Sequence, residues 1–494
     1  MSDIKLGTSG WRATIADNFT AANVQKLSQA LSNHVTAHTE YGFSGSQYRR
    51  YCKERKFTPK KPLVIVGYDT RFMSEYFARV AADTLSVNSI SVLFASRPVP
   101  VPVVAWSVLE NGAVGGITVT ASEGISSLNG IKWTPYWGGP ATPEVANDIE
   151  SRLSGPGSGI SKMGLREFGV LSPAVETAEI ADGYFEQLSS IVDVNTIRKA
   201  GLKVAVDSLY GSISGYLRPF LDKIGVTTYG LHEERDVLFG GHAPYTGPES
   251  LASLSSFVAK NKLSLGIACD CDGDRFGIVD SDGTWISPND MLPLILDHLA
   301  KNKGMRGKVC RNVVTSHFLD AVAKNHGFAV RETPVGFKFI GELMRTGQYL
   351  LGGEESGGAT ILGHVPEKDG MLVCLLALEM LAYERKPLKK IREEMRKRYG
   401  GFLSIKKSLS VENIKMADVT ERLTVKPPLE LAGCSVWRID QTDGFKFVLR
   451  DGSWLGLRPS GTEPIVRIYA EAATTARLNS LVAEADKIIK GEFK

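Results

Sequence analysis

Apolar residues recur at helical spacing between residues 21 and 38, where Val24, Leu27, Leu31 and Val35 share one face. The stretch 62–68 is different, a short block of mainly β-branched and apolar residues ending in the polar Asp69-Thr70-Arg71, which predicts a buried strand followed by a loop. The pattern continues with a helix over about 73–86, a strand over 90–95, a helix over about 102–111 and an apolar β-branched strand over 113–120. Asn129-Gly130 predicts a turn, with Lys132 on a short strand beyond it. Strands alternating with helices, each strand ending in a polar loop, predict a mainly parallel sheet. A Gly/Ser linker at 154–159 closes this first unit.

A long helix over about 174–195 is expected to open a second unit, with strands at 202–207 and 264–268. A third unit carries helices at about 289–303 and 316–326, strands at 308–314 and 348–351, and a strongly apolar helix at 371–381. The end of the chain, from about 402, changes character. Short strands at 435–439, 445–449, 454–457 and 465–469 precede a closing helix at 475–489.

The 494 residues suffice for three to five domains of roughly 100–200 residues. Hydrophobic residues make up 43% and charged residues 23%, the balance of a soluble globular chain. A net charge of +4 from 58 basic and 54 acidic residues is too even for a nucleic-acid footprint. The basic stretch from Arg49 to Lys56, with Lys60 and Lys61 behind it, reads as a solvated insertion within 43–61. Six scattered cysteines without CxxC spacing suit a reducing cytoplasm rather than a disulfide framework or a zinc site. No leader pattern and no apolar run of about 18–20 residues is seen, so no membrane partner is expected.

Candidate chemistry gathers in four loops. Ser122 stands where the 113–120 strand should end, at the carboxyl end where α/β folds place reactive groups. Asp270, Asp272 and Asp274, with Gly273 allowing a tight turn, can converge on one hard cation, and extended backbone would put alternate side chains on one face. The stretch is not an EF-hand, because the twelfth position counted from Asp270 is Ser281. Glu354-Glu355-Ser356 among glycines offers acceptors suited to vicinal sugar hydroxyls, and Lys338 is expected to be exposed at a helix start. Arg458 with Ser460, Gly461 and Thr462 combines a guanidinium fork, hydroxyls and free N–H groups in the manner of a phosphate cradle, with Arg467 nearby in sequence. A nucleophile, a cation site, a hydroxyl-reading loop and a phosphate cradle together imply phosphoryl transfer, in which positioning and charge neutralisation do most of the work.

The segments GTSGWR, TVTASE…NGIK, DCDGDR, GEESG with the downstream HVPEKDG, and RPSGTEP occur here in the order found in the α-D-phosphohexomutases, which the chain resembles over essentially its whole length. The resemblance implies an α/β fold of three domains of shared topology with mainly parallel mixed sheets, plus a smaller C-terminal α+β domain around a central cleft. Expected domain spans are 1–165, 166–287, 288–400 and 401–494, carrying the phosphoserine, metal, sugar and phosphate loops. It implies that Ser122 carries a phosphoryl group, that Mg²⁺ is held by Asp270, Asp272, Asp274 and a phosphoseryl oxygen, and that Lys132 serves as acid/base with Arg12 and Arg275 assisting. Lys338, Glu354, Ser356, His364 and Lys368 would bind the sugar phosphate, and Arg458, Ser460, Gly461, Thr462 and Arg467 its phosphate.

The implied reaction is interconversion of glucose 1-phosphate and glucose 6-phosphate through glucose 1,6-bisphosphate, which is also the activator. The Glu354-Glu355 pair and the Gly336-Phe337-Lys338 segment resemble those of the glucose-specific members of the family, which implies glucose rather than mannose or glucosamine phosphates. A bisphosphate synthase, a sugar phosphatase and a non-catalytic binding relative are the alternatives. The last is motivated by Glu123, which stands where the family pattern has histidine. The expected partner is a small phosphosugar, in a cytoplasmic monomer or homodimer.

Overall fold

The computed structural model describes residues 4–7, 10–37, 41–154, 175–411, 416–459 and 465–490. The chain divides into two compact units, Met1–Ser287 with Gly341–Gly352 and Ser356–Leu388, and Pro288–Ile340 with Gly353–Glu355 and Lys389–Lys494.

In the first unit, six strands form one sheet: β1 (Trp11–Thr14), β2 (Leu63–Tyr68), β3 (Ser91–Ala95), β4 (Gly115–Val119), β5 (Leu128–Pro135) and β6 (Val175–Ala178), in the order β1-β5-β4-β2-β3-β6. β2 runs parallel to β3 and β4, and β3 parallel to β6, while β5 is antiparallel to both its neighbours. The expected helix face is found: Val24, Leu27, Leu31 and Val35 are buried on Ala21–Thr36, whose N-terminus is capped by Thr20. They join Val64, Val66, Phe94, Ile117, Val119 and Ile131 in one core. Each such fully buried aliphatic side chain contributes about 1.5–3 kcal/mol.

Three local expectations are corrected. Residues 175–178, expected within a long helix, form β6 instead, and helices follow at Asp182–Ile191 and Val194–Lys199. The edge of the first sheet recruits these residues, so that sheet draws on chain beyond the expected boundary at 165, while linker residues 155–159 lie outside the described residues. Asn129-Gly130 is no turn but the start of β5, with Gly130 paired to Arg12. A Cβ on Gly130 would lie 2.5 Å from the Trp11 carbonyl oxygen and 2.6 Å from that of Thr120, so close backbone approach rather than turn geometry requires the glycine. The basic stretch of 43–61 contains a helix, Ser46–Glu54, which buries Tyr48 and Cys52 against the first core and leaves Arg49, Arg50 and Lys53 exposed. It is a packed element with one solvated face.

The second sheet of this unit comprises β7 (Lys203–Asp207), β8 (Thr227–Leu231), β9 (Leu265–Cys269), β10 (Phe276–Asp280) and β11 (Trp285–Ile286), in the order β11-β10-β9-β7-β8. β7 is parallel to β8 and β9, and β9 and β10 form an antiparallel hairpin. The apolar helix Gly370–Glu384 packs on that hairpin, which explains why its hydrophobicity shows no polar face.

In the second unit, β12 (Lys308–Asn312) pairs in parallel with β13 (Val330–Thr333). Strands β14 (Tyr349–Gly353) and β15 (Ala359–Ile361) flank the acidic loop in sequence and, apart from Gly353, belong to the first unit. The remaining strands are β16 (Leu403–Ser410), β17 (Glu430–Leu431), β18 (Cys434–Asp440), β19 (Phe445–Leu449), β20 (Trp454–Pro459) and β21 (Ile465–Ala472). They make an antiparallel sheet, β16-β21-β20-β19-β18-β17, covered by the helix Thr475–Lys490. Three domains thus carry mixed sheets and the fourth an antiparallel one, the expected α/β class with a C-terminal α+β domain. Among the described residues no helix is long and apolar enough to cross a membrane.

Candidate active site

Ser122 lies just past β4, almost completely buried, with a left-handed backbone at φ 53°. A side chain in that conformation is strained by about 1–2 kcal/mol, so surrounding contacts must hold it there. The principal contact is Arg71, the arginine of the loop after β2. Its fully buried guanidinium donates to the carbonyl oxygens of Ser122 at 2.5 Å, Gly124 at 2.6 Å, Ile125 at 2.8 Å and Leu128 at 3.2 Å. Its Nε lies 3.1 Å from Asp69, which compensates the buried charge. In the sequence Arg71 reads only as the arginine of a polar loop, and nothing in its spacing ties it to Ser122, 51 residues further on.

The hydroxyl of Ser122 donates to Asp270 Oδ2 at 2.8 Å. The Ser122 amide donates to Thr120 Oγ1 at 2.9 Å, and that hydroxyl donates to Asp272 Oδ2 at 3.1 Å. The serine loop and the acidic loop are therefore joined at two points.

Asp270, Asp272 and Asp274 are all fully buried, and oxygens of the three carboxylates lie within 4.8 Å of one another. They converge through a turn and not through extended backbone: the Gly273 amide donates to the Asp270 carbonyl at 3.0 Å, and Gly273 has φ 72°. A Cβ on Gly273 would also meet Pro100 at 2.8 Å. The β9–β10 hairpin supplies the turn, so the apolar strands on either side fix the position of the acids. Lys132 on β5 donates to Asp272 at 2.6 Å and Asp274 at 2.8 Å, and Lys368 Nζ lies 2.9 Å from Asp274.

The electrostatics follow from this crowding. Burial, with Asp272 and Asp274 beside it, pushes Asp270 well above the ordinary carboxylate range. Asp274 is driven down: burial alone would raise it, but Lys132, Lys368 and Arg275 outweigh that effect. Lys132 and Lys368 are raised for the complementary reason, their carboxylate partners overcoming desolvation, and in Lys132 the nearby Arg12 charge opposes the rise.

Asp272 Oδ1 and Asp274 Oδ1 are buried without a hydrogen-bond partner among the described residues. Oxygens of that kind, on three convergent carboxylates beside a hydroxyl, fit a hard divalent cation of the Mg²⁺ type. Arg275 touches both the acidic loop and the serine loop. Its amide donates to Asp270 Oδ1 at 3.0 Å, and its guanidinium is ion-paired with Glu123. Glu123 therefore has its charge compensated by Arg275.

His364, expected to touch the sugar, has a completely buried side chain whose Nε2 lies 2.7 Å from Asp369 Oδ2. Asp369 also accepts from Tyr184 at 2.7 Å and caps the helix that begins at Gly370 through the Leu372 amide at 2.9 Å. The imidazole thus faces the helix cap, whereas Lys368, on the same segment of chain, reaches the acidic cluster. Ser356 lies in the first unit, at the end of the acidic loop.

Within the second unit, Glu354 accepts from the Gly336 amide at 3.0 Å and from Asn312 at 3.2 Å, and Glu355 accepts from Asn312 at 2.7 Å. Asn312, at the end of β12, was not singled out from sequence, since nothing near it in the chain marks it. It orients both carboxylates at once. Lys338 is half-buried rather than exposed, in the first turn of the helix Phe337–Met344, with Nζ 4.7 Å from the Phe339 ring centre. Arg458 on β20 pairs with Asp443 at 2.8 Å and stands directly opposite Arg467 on β21. Ser460, Gly461 and Thr462 lie outside the described residues.

Comparison with known proteins agrees over the full chain. Descriptions of the phosphoglucomutase/phosphomannomutase α/β/α domains I, II and III match residues 3–157, 182–283 and 287–399, and that of the C-terminal domain matches 407–488. A phosphoglucomutase of Komagataeibacter xylinus is 27% identical over 534 residues, covering 99% of this chain and 91% of that protein. A phosphoglucosamine mutase of Parafrankia sp. is 30% identical over 424 residues, covering 84% and 83%. A structure from Thermus thermophilus, described as a candidate phosphomannomutase, superimposes with a TM-score of 0.82 at 30% identity, covering 99% of this chain and 100% of that one. Four consecutive domain matches, the shared fold and the buried acidic triad beside a serine establish that this chain belongs to the phosphoglucomutase/phosphomannomutase family of phosphohexomutases, which are isomerases.

Proposed function

We propose that the protein interconverts glucose 1-phosphate and glucose 6-phosphate, with Ser122 as the phosphoryl carrier. The observation that carries this reading is the 2.8 Å hydrogen bond from the Ser122 hydroxyl to Asp270, at the edge of a buried three-carboxylate cluster. In the forward direction a hydroxyl oxygen of the sugar monophosphate forms a bond to the phosphorus carried on Ser122 Oγ. The P–Oγ bond breaks as the Lys132 ammonium gives a proton to the leaving Ser122 Oγ, and the proton of the attacking hydroxyl returns to the Lys132 amine. The bisphosphate then turns over, and Ser122 Oγ takes back the other phosphoryl group.

Lys132 is the acid/base in this scheme. It sits in hydrogen-bond contact with the cluster and is held charged at rest, so its proton is available to a departing hydroxyl and is regained from the attacking one. Asp270, Asp272, Asp274 and Ser122 would hold Mg²⁺, which when bound supplies positive charge to the phosphoryl oxygens. Arg275 and Lys368 add fixed positive charge beside the same carboxylates, and Arg12 lies close enough to influence Lys132. A phosphate on Ser122 competes with Glu123 for Arg275, so Glu123 sets how firmly that arginine holds the phosphorylated state.

For the sugar we assign Glu354, Glu355 and Ser356, with Lys338 and Lys368, and for the distal phosphate Arg458, Ser460, Gly461, Thr462 and Arg467. His364 acts by positioning the Asp369 cap. Glucose is preferred because two carboxylates held by one asparagine can accept from neighbouring equatorial hydroxyls. Glucose 1,6-bisphosphate would prime the serine. Free cysteines at all six positions fit action in the cytoplasm.

The test is a coupled assay with Mg²⁺ and glucose 1,6-bisphosphate against glucose, mannose and glucosamine 1-phosphates. Glucose 1-phosphate is expected to give the highest kcat/KM. A better substrate among the other two would reassign the sugar, and accumulation of bisphosphate without isomerisation would make the protein a synthase.

A further inference from the structure

The helix Ser46–Glu54, which the phosphoryl-transfer site does not use, forms one wall of a second cavity of about 940 Å³. Arg50 and Arg55 line it from that helix and its end, and Arg345 lines it from a separate part of the chain. None of the three guanidinium groups is ion-paired with a carboxylate among the described residues, and Glu54 is the one acidic side chain in the lining. Arg345 lies over the Trp137 ring with 4.2 Å to its centre, and Arg55 lies 5.7 Å from the Tyr51 ring centre. These stacking contacts hold the guanidinium planes while leaving their N–H edges free to donate.

Three arginines lining one concavity, with a single carboxylate among them, suit an anion with several oxygens. Guanidinium forks match the oxygen geometry of phosphate better than a point charge does. The cavity volume is that of a drug-sized ligand site, far larger than one inorganic phosphate needs. Its lining includes the half-buried Tyr51 as an apolar face. We propose that this cavity is a second ligand site, distinct from Ser122, for a nucleotide-sized phosphate ester whose phosphates are held by Arg50, Arg55 and Arg345.

Calorimetric titration of the full chain with ADP, pyrophosphate and inorganic phosphate tests the proposal and needs no turnover, so it stands apart from the mutase reading. ADP is expected to bind, pyrophosphate more weakly and inorganic phosphate least. Arg50→Glu, on an exposed helix face, and Arg345→Ala should each weaken ADP by about tenfold or more, while Asp272→Asn leaves it unchanged. Circular dichroism of each variant checks that the fold is kept. Absence of ADP binding would overturn the proposal, as would binding that ignores both arginine substitutions or is lost in Asp272→Asn. Binding of pyrophosphate and ADP with equal strength would overturn the nucleotide-sized assignment.

Discussion

The buried guanidinium of Arg71 donates to the Ser122 carbonyl at 2.5 Å, so the backbone of the serine proposed as phosphoryl carrier rests on a charge fixed by a different loop. Arg71→Ala would leave Asp69 as an uncompensated buried carboxylate and free four loop carbonyls. Breaking a buried pair in this way costs about 3–5 kcal/mol. Misplacement of the serine by about 1 Å should lower kcat by about 100-fold. Urea unfolding and single-turnover kinetics on the same variant check the two effects. Unchanged kinetics in a destabilised variant would show that Arg71 supports the fold without placing the serine.

The left-handed backbone of Ser122 separates strain from chemistry. Ser122→Gly and Ser122→Ala both remove the hydroxyl, so both should lose phosphoryl transfer. The glycine variant should be the more stable by about 1–2 kcal/mol, because only glycine adopts φ near 53° without cost. Thermal unfolding of the pair reads this difference directly. Equal stability would mean that the loop relaxes once the hydroxyl is gone.

Much of this arrangement is legible in the chain. The apolar strands 113–120 and 264–268 announce where Ser122 and Asp270 emerge, because short β-branched runs bounded by polar residues have few other readings. What escaped is long-range. Residues 175–178 look helical in isolation but complete the edge of a sheet laid down much earlier in the chain, and tertiary pairing overrides local pattern there. Asn129-Gly130 carries a turn signature, yet Gly130 is required by two flanking carbonyls that local sequence does not show. Asn312 and Arg71 act on loops distant in sequence, so no spacing rule reveals them.

Divalent cation should stabilise the native state, because the three-carboxylate cluster exists only when β9 and β10 are paired. At a Mg²⁺ concentration of about 100 Kd the gain is about 2.7 kcal/mol. Differential scanning with and without Mg²⁺ should show a higher Tm that chelator reverses. Asp272→Asn should lose most of that increment. An increment retained in Asp272→Asn would place the ion elsewhere.

A pH-sensitive contact joins the ends of β7 and β8. His232 Nδ1 lies 2.9 Å from Asp207 Oδ1, and this hydrogen bond, against the opposing effect of burial, raises the imidazole above its ordinary value of about 6.5. The folded state therefore binds the proton more tightly than the unfolded chain. The stabilisation is fully present below about pH 6.5 and is lost as pH rises through the raised folded value. The stability difference between the wild type and His232→Gln, measured by urea unfolding, should be largest in mild acid and shrink towards alkaline pH. A pH-independent difference would show that His232 contributes by packing on Tyr210, whose ring centre is 4.7 Å away.

The most direct measurement is the intact mass of the protein after incubation with glucose 1,6-bisphosphate and Mg²⁺, followed by addition of glucose 1-phosphate. One phosphoryl group should appear on the wild type, map to Ser122, be absent from Ser122→Ala, and exchange with the added sugar. A protein that gains no phosphoryl group, or gains one at another residue, would contradict the assignment of Ser122 as the carrier.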